Sequence, residues 1–219
     1  MERTKQNWMR DRLGWLGLAV VSAAALVPIT VTAAAGRLSW GDAAVRDLVL
    51  AYRLPALEWT MLVMSWLSSE YVTPLVLAAV VAVGWRRARR RVLVAAAVVA
   101  TSTLWQIALK AVVGRPRPEP LLYPLWHGAG FPSGHALTAL VLAYVVWRLA
   151  PALGFSRRAQ TPLGWAVVLY PLLVGVSCIY LSSHYLSDVT GGVLLGLGHL
   201  GLAFGLFGAD WLDREGIRS

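Results

Sequence analysis

A single cysteine, Cys178, in 219 residues excludes an intrachain disulfide framework and a multi-cysteine metal centre. Charge is scarce too: 14% of residues are Asp, Glu, Lys or Arg, and only 11 are acidic. An ordinary soluble domain carries about 25% charged residues, so an all-round water-facing surface is excluded. The carboxylates form no cluster of magnesium-ligand composition; no metal and no cofactor is expected. Lysine occurs only at Lys5 and Lys110, against 18 arginines. The net charge of +9 does not indicate nucleic acid, because the cations are scattered between apolar runs with no stacking platform or recognition helix beside them. Internal repeats and low-complexity tracts are absent as well.

What the chain does have is apolar length. Hydrophobic residues make up 58%, and the mean hydropathy is +0.61. A helix needs about 20 apolar residues to cross a bilayer, and six segments qualify, near residues 13–35, 58–85, 91–113, 134–152, 162–182 and 189–208. The expected fold is therefore all-α: a polytopic membrane protein, one six-helix transmembrane bundle over residues 1–219, with both termini cytoplasmic. Most arginines, including Arg86, Arg87, Arg89, Arg90 and Arg91, fall on one face of this arrangement, which orients that face to the cytoplasm. The first segment, led by Arg10 and Arg12 and ending near Gly36, also admits a cleaved signal peptide, although its apolar run is long for one. Residues 39–57 read as an interfacial amphipathic helix or a solvated connector. Tryptophans such as Trp40, Trp59, Trp85, Trp126, Trp147, Trp165 and Trp211 fit an interfacial belt.

Three stretches fall together on the opposite, outer face. KAVVGRPRP, Lys110 to Pro118, packs Lys110, Arg115 and Arg117 into eight residues, and like charges so close call for an anion. Arginine offers a planar fork to phosphate oxygens and lysine a point charge; headgroup anchoring is the plainer alternative. In FPSGHALTAL, Ser133 is a good helix N-cap, Gly134 permits close backbone approach, and His135 follows at a helix start that favours anions. Taken alone, this is only a cap. In GVSCIYLSSHYLSD, His184 and Asp188 stand four residues apart and share a face if the backbone there is helical. A carboxylate on one ring nitrogen fixes the tautomer and leaves the other free to attack; a merely structural pair is equally compatible with the spacing.

Jointly these residues resemble the type 2 phosphatidic acid phosphatase family, whose membrane members are lipid phosphate phosphatases. Its first motif, Lys, six residues, Arg-Pro, is matched by Lys110, Arg117 and Pro118; its second, Pro-Ser-Gly-His, by Pro132 to His135. Its third, Ser-Arg, five residues, His, three residues, Asp, is matched by Ser177, His184 and Asp188, but Cys178 stands in the arginine's place. The resemblance covers roughly residues 60–205. It implies His184 as nucleophile through a phosphohistidine, Asp188 as its orienting partner and His135 as the acid on the leaving oxygen. Lys110, Arg117, Ser133 and Gly134 would hold the phosphate oxygens, without a metal. A thiol supplies neither the fixed charge nor the fork of the missing arginine, and Arg115 is a candidate substitute.

The implied substrate is a membrane lipid phosphate, with polyprenyl (undecaprenyl) diphosphate, phosphatidic acid and phosphatidylglycerol phosphate as candidates, at the outer side of a bacterial cytoplasmic membrane. A lipid phosphotransferase and a weakened, lipid-binding relative remain the alternatives, and oligomeric state is open. His127 reads as a loop histidine, His199 as a helix-to-helix hydrogen-bond partner, and Gly192 with Gly196 as a close-packing pair.

Overall fold

The computed structural model describes residues 2–120 and 128–208. Among these, the chain forms only helices: α1 (Glu2–Ala34), α2 (Asp42–Tyr52), α3 (Glu58–Leu67), α4 (Val72–Val113), α5 (Gly134–Leu149), α6 (Arg157–Tyr180) and α7 (Leu186–Phe207), with a 3-10 turn at Pro55–Leu57. Four of them contain stretches long and apolar enough to cross a bilayer: Met9–Ala34, Val72–Val113, Arg158–Tyr180 and Leu186–Phe207. The α5 helix is apolar but shorter, at 16 residues. The protein is an all-α polytopic membrane protein.

Six uninterrupted spans are not what the sequence forms. The segment expected at 58–85 is broken at 68–71, because two serines take over backbone partners: Ser68 Oγ donates to the Ser65 carbonyl (3.3 Å) and Ser69 Oγ accepts from the Val72 amide (3.3 Å). The next boundary shifts the other way, since helix continues through the arginine run and α4 reaches 42 residues. It is not straight. Ala88 leaves helical geometry (φ −147°, ψ 38°), and a methyl group added at Gly84 would collide with the Val92 side chain. Eight residues of straight helix separate two positions by about 12 Å, so the chain folds back at Ala88 and the two arms of α4 lie side by side.

The arginine-rich turn docks beside the α5–α6 connection, where Arg87 Nη1 donates to the Leu153 carbonyl (3.2 Å). Along the bundle, α1 and α7 run antiparallel. Glycines of α7 permit this: a methyl at Gly201 would come within 2.7 Å of backbone atoms of Ala19 and Trp15. Arg12 closes the pair by donating to the carbonyls of Gly205 (2.8 Å) and Leu206 (2.7 Å) at the α7 C-terminus. The core gathers Val92, Val98, Val141, Val145, Leu149, Leu200 and Phe204, with Trp15 and Tyr144 against the Phe204 ring. Outward-facing residues such as Val20, Val27, Leu75, Leu104 and Val168 stay exposed and apolar, as a surface solvated by lipid requires.

At the far end from the Ala88 turn, α4 and α6 finish while α5 and α7 begin. The α2–α3 segment lies over this end, braced within itself by the Arg53–Glu58 ion pair (2.8 Å) and tied to α6 by Tyr180 Oη, which accepts from the Leu54 amide and donates to its carbonyl. Trp40 and Trp59 stand exposed here, and Trp85 and Trp165 are exposed nearer the opposite end, whereas Trp147 packs edge-on to Tyr144. Trp126 and Trp211 lie outside the described residues.

Candidate active site

His184 sits in the short connection between α6 and α7, not on the helix. Its position follows from local backbone bonding: the Cys178 carbonyl, at the end of α6, accepts from the amides of Ser183 (3.0 Å) and His184 (3.3 Å) and from Ser183 Oγ (2.9 Å). Ser182 takes a left-handed conformation (φ 53°) to make the turn. Asp188 then acts as an N-terminal helix cap, its Oδ2 accepting the Tyr185 amide at 2.8 Å. The pair expected to share a helix face meets instead across this capping turn, with His184 Nδ1 3.7 Å from Asp188 Oδ2. That nitrogen is buried and has no hydrogen-bond partner as it stands.

The other ring nitrogen, Nε2, faces the cations, 3.4 Å from Arg117 Nη1. Arg117 is held by carbonyls, donating from Nη1 to Ser183 (2.8 Å) and from Nε to Gly128 (3.2 Å); Lys110 Nζ donates to the Ala129 carbonyl (2.8 Å). Across from them α5 begins. Ser133 caps it by accepting the Ala136 amide (3.4 Å) and donates its own amide to the Asp188 carbonyl (2.9 Å). His135 brings its ring to 6.0 Å from that of His184. Gly192 on α7 makes this approach possible, since a methyl there would collide with the Ser133 carbonyl oxygen.

The site therefore assembles Lys110, Arg117, Ser133, Gly134, His135, His184 and Asp188 at one end of the bundle. Arg115, expected as a phosphate ligand, is placed elsewhere. Its guanidinium is buried and spent on carboxylates: Nη1 donates to Asp188 Oδ1 (2.7 Å) and Ser187 Oγ (2.7 Å), and Nη2 to Asp42 Oδ2 (2.8 Å) and the Arg37 carbonyl (3.2 Å). As a substitute for the missing motif arginine it is unavailable, because each terminal nitrogen is already engaged. Cys178 itself is fully buried among Ala136, Ala139, Val174 and Val189, its sulfur 3.9 Å from Ser65 Oγ.

Electrostatics follow from burial. Burial pushes the His184 imidazole below its ordinary 6.5, aided by Arg117 and Lys110 and opposed by Asp188, so the ring is neutral near neutral pH. Burial likewise lowers Arg117 from its ordinary value. For Asp42 burial pulls upward, but hydrogen bonds from Arg115, Ser187 and Ser39 together outweigh it and hold the carboxyl below its usual range.

Sequence reasoning missed Asp42 and Ser187. Ser187 donates to Asp42 through both its amide (2.8 Å) and its hydroxyl (2.7 Å). The available signal was one of scarcity, a carboxylate in a short outer segment of a chain with so few. Gln106 was also missed; its amide lies about 3.0 Å from where a methyl on Gly134 would sit. His199 forms the inter-helix bond expected of it, with Nε2 2.9 Å from the Val98 carbonyl, while His127 lies outside the described residues. Among the described residues no group of three or more His, Cys, Asp or Glu is arranged to hold a metal.

Comparison with known proteins gives a consistent picture. The family model described as PAP2 superfamily matches residues 91–211. Phosphatidylglycerophosphatase B of Bacillus subtilis (strain 168) is 29% identical over 163 residues, which span 71% of this chain and 78% of that protein. Among solved structures, a transmembrane PAP2-type phosphatidylglycerolphosphate phosphatase from Bacillus subtilis superposes with a TM-score of 0.73 at 24% identity, covering 84% of this chain and 94% of the other. Aquifex aeolicus LpxE superposes with a TM-score of 0.58 at 25% identity, covering 74% and 94%.

Proposed function

We propose, from the premise that the chain belongs to the PAP2 superfamily of membrane lipid phosphate phosphatases, that it hydrolyses a phosphomonoester or diphosphate of a membrane lipid through a phosphohistidine. The observation that carries this reading is His184, neutral and buried, with one nitrogen toward Asp188 and the other toward Arg117. Nε2 attacks phosphorus in line, the P–N bond forms and the P–O bond to the lipid breaks. His135, protonated when the anionic headgroup lies beside it, gives a proton to the leaving oxygen. Asp188 holds the imidazole and stabilises the positive charge the ring acquires. Water, losing a proton to His135, then attacks the phosphorus, the P–N bond breaks, and inorganic phosphate leaves with His184 neutral again.

Lys110, Arg117 and the α5 N-terminus at Ser133 and Gly134 hold the equatorial oxygens, and such stabilisation is the main contribution in phosphoryl transfer. Cys178 removes one donor from that set, and with Arg115 engaged elsewhere the loss is uncompensated by its neighbour. Removing a donor of this kind costs about 100-fold to 1000-fold in rate, which leaves a slow enzyme. In the membrane, α1, α3 with the first arm of α4, the second arm of α4, α5, α6 and α7 supply the six crossings, and the arginine-rich turn lies in the cytoplasm. The site then opens outward at the bilayer surface, where a lipid tail stays in hydrocarbon while its headgroup enters the cradle. The name of the Bacillus subtilis relative supports phosphatidylglycerol phosphate as the first substrate to try, ahead of phosphatidic acid and undecaprenyl diphosphate.

Phosphate release from these lipids by detergent-purified protein, alongside His184→Ala and Cys178→Arg, tests the reading. Release that disappears in His184→Ala is expected, and release unaffected by that change overturns the mechanism. The buried Cys178 also favours a second reading, a lipid-binding relative without turnover; activity appearing only in Cys178→Arg would select it. Appearance of the phosphoryl group on a second lipid instead of in solution would mark a phosphotransferase.

A further inference from the structure

Asp188 does not face His184 alone. Its Oδ1 is taken by Arg115, whose other terminal nitrogen is taken by Asp42 on α2. The order is carboxylate, guanidinium, carboxylate, imidazole, and its first three members are each at most 3% exposed. The links through the guanidinium are short, 2.8 Å from Arg115 to Asp42 and 2.7 Å from Arg115 to Asp188, with Ser187 bonded to both Arg115 and Asp42, and the last, Asp188 to His184 Nδ1, is 3.7 Å. Two carboxylates on one guanidinium leave a net negative charge beside His184. With only one, Arg115 would neutralise Asp188 outright.

We infer that Asp42 is a positioning residue of the active site, which divides the charge of Arg115 and so keeps Asp188 negative enough to support His184. This rests on the function proposed above and extends it to α2, a segment outside the three motifs. The hydrogen bonds of Asp42 go to Ser39, Arg115 and Ser187, not to His184, so it acts through Arg115 although it lines a small cavity that His184 also borders. The other charged and titratable groups facing His184 are Arg117 and Lys110 from the end of α4 and its loop, and His135 from α5. Arg46 of α2 and Tyr185 line a small cavity that His184 also borders. Asp42→Asn keeps acceptor capacity for the Ser39 and Ser187 donors and removes the negative charge that shares Arg115.

Imidazole nitrogen NMR titration of the full-length protein in detergent micelles reads the effect without relying on turnover, with the His184 signals identified by their loss in His184→Ala. A unit charge at about 10 Å in a medium of effective dielectric constant near 20 moves a titration by about one pH unit. In Asp42→Asn the His184 midpoint should therefore fall by about one unit. It should stay in place in Ser187→Ala, which removes a hydroxyl but no charge. Arg115→Gln should move it the other way, and provides the decisive variant if Asp42→Asn does not fold. On any lipid phosphate the wild type hydrolyses, Asp42→Asn should lower kcat about tenfold with KM unchanged, and Asp42→Glu should restore part of it. A His184 midpoint that does not move in Asp42→Asn, or that moves equally in Ser187→Ala, overturns the inference. Absence of turnover in the wild type would instead count against the proposed function, since the titration stands without it.

Discussion

Arg115 and Arg117 are two residues apart, each followed by proline, yet they end in opposite surroundings. Arg115 turns inward to two carboxylates and is sealed from solvent; Arg117 turns to backbone carbonyls and to the face of His184. One region is a closed clamp in which charges are matched within the protein. The other is a cradle whose cations are positioned by backbone carbonyls beside His184. Motif spacing alone does not distinguish them; the carboxylate that Arg115 meets comes from α2, 73 positions earlier in the chain.

The largest test sets the two arginines against each other. Arg117→Ala should lower kcat/KM about 100-fold to 1000-fold while leaving the thermal midpoint near that of the wild type. Arg115→Ala removes the cation from a buried pair and should cost about 3–5 kcal/mol of stability, read from unfolding in detergent. Equal stability losses would erase the distinction. Next comes the contact that both regions share, the start of α5 against α7. Gly192→Ala forces a methyl onto the Ser133 carbonyl and should destabilise by about 1–3 kcal/mol with a matching loss of rate. Gly134→Ala meets only the flexible Gln106 side chain, so its effect should be the smaller of the two. A reversed ranking would mean that the cradle tolerates movement of its walls.

Acidity has a subtler effect. The depressed His184 value means that its neutral, attacking form persists below 6.5 and is lost only as pH falls through that lower value. The acid limb of kcat/KM assigned to His184 should accordingly lie below 6.5; a limb above it would show that Asp188 outweighs burial. The same sign makes the unfolded chain bind this proton first, so stability should decline on acidification through that range. The smallest effect is none at all: chelation by EDTA should leave phosphate release unchanged, because the cations of the cradle take the part a metal would play. Loss on chelation with recovery in magnesium would reassign that part.

Much of the site could be read from sequence because its parts are local. Pro132 to His135 cap one helix, and the His184–Asp188 spacing fits one turn whether that turn is helical or a cap. Non-local facts escaped. Nothing in the segment 39–57 distinguishes an interfacial helix from one whose first residue is pinned beneath it, since Asp42 gains its meaning only from Arg115 and Ser187. The same holds for the spans. Hydropathy found the apolar stretches but not the break at 68–71, which depends on serine side chains competing for backbone groups, nor the continuation of helix into the arginine run before the reversal at Ala88.

The pairing of α1 with α7 has a bearing on how the molecule comes into being. Arg12 bonds to a carbonyl 193 positions later, so at roughly 5–20 residues per second the first helix waits about 10–40 s for its partner to be synthesised. All three motifs emerge within that interval. Since α7 also brings Asp188, this late helix both closes the bundle and completes the site, and a chain interrupted before it would sit in the bilayer with its cations and His184 gathered but without the carboxylate that faces the imidazole.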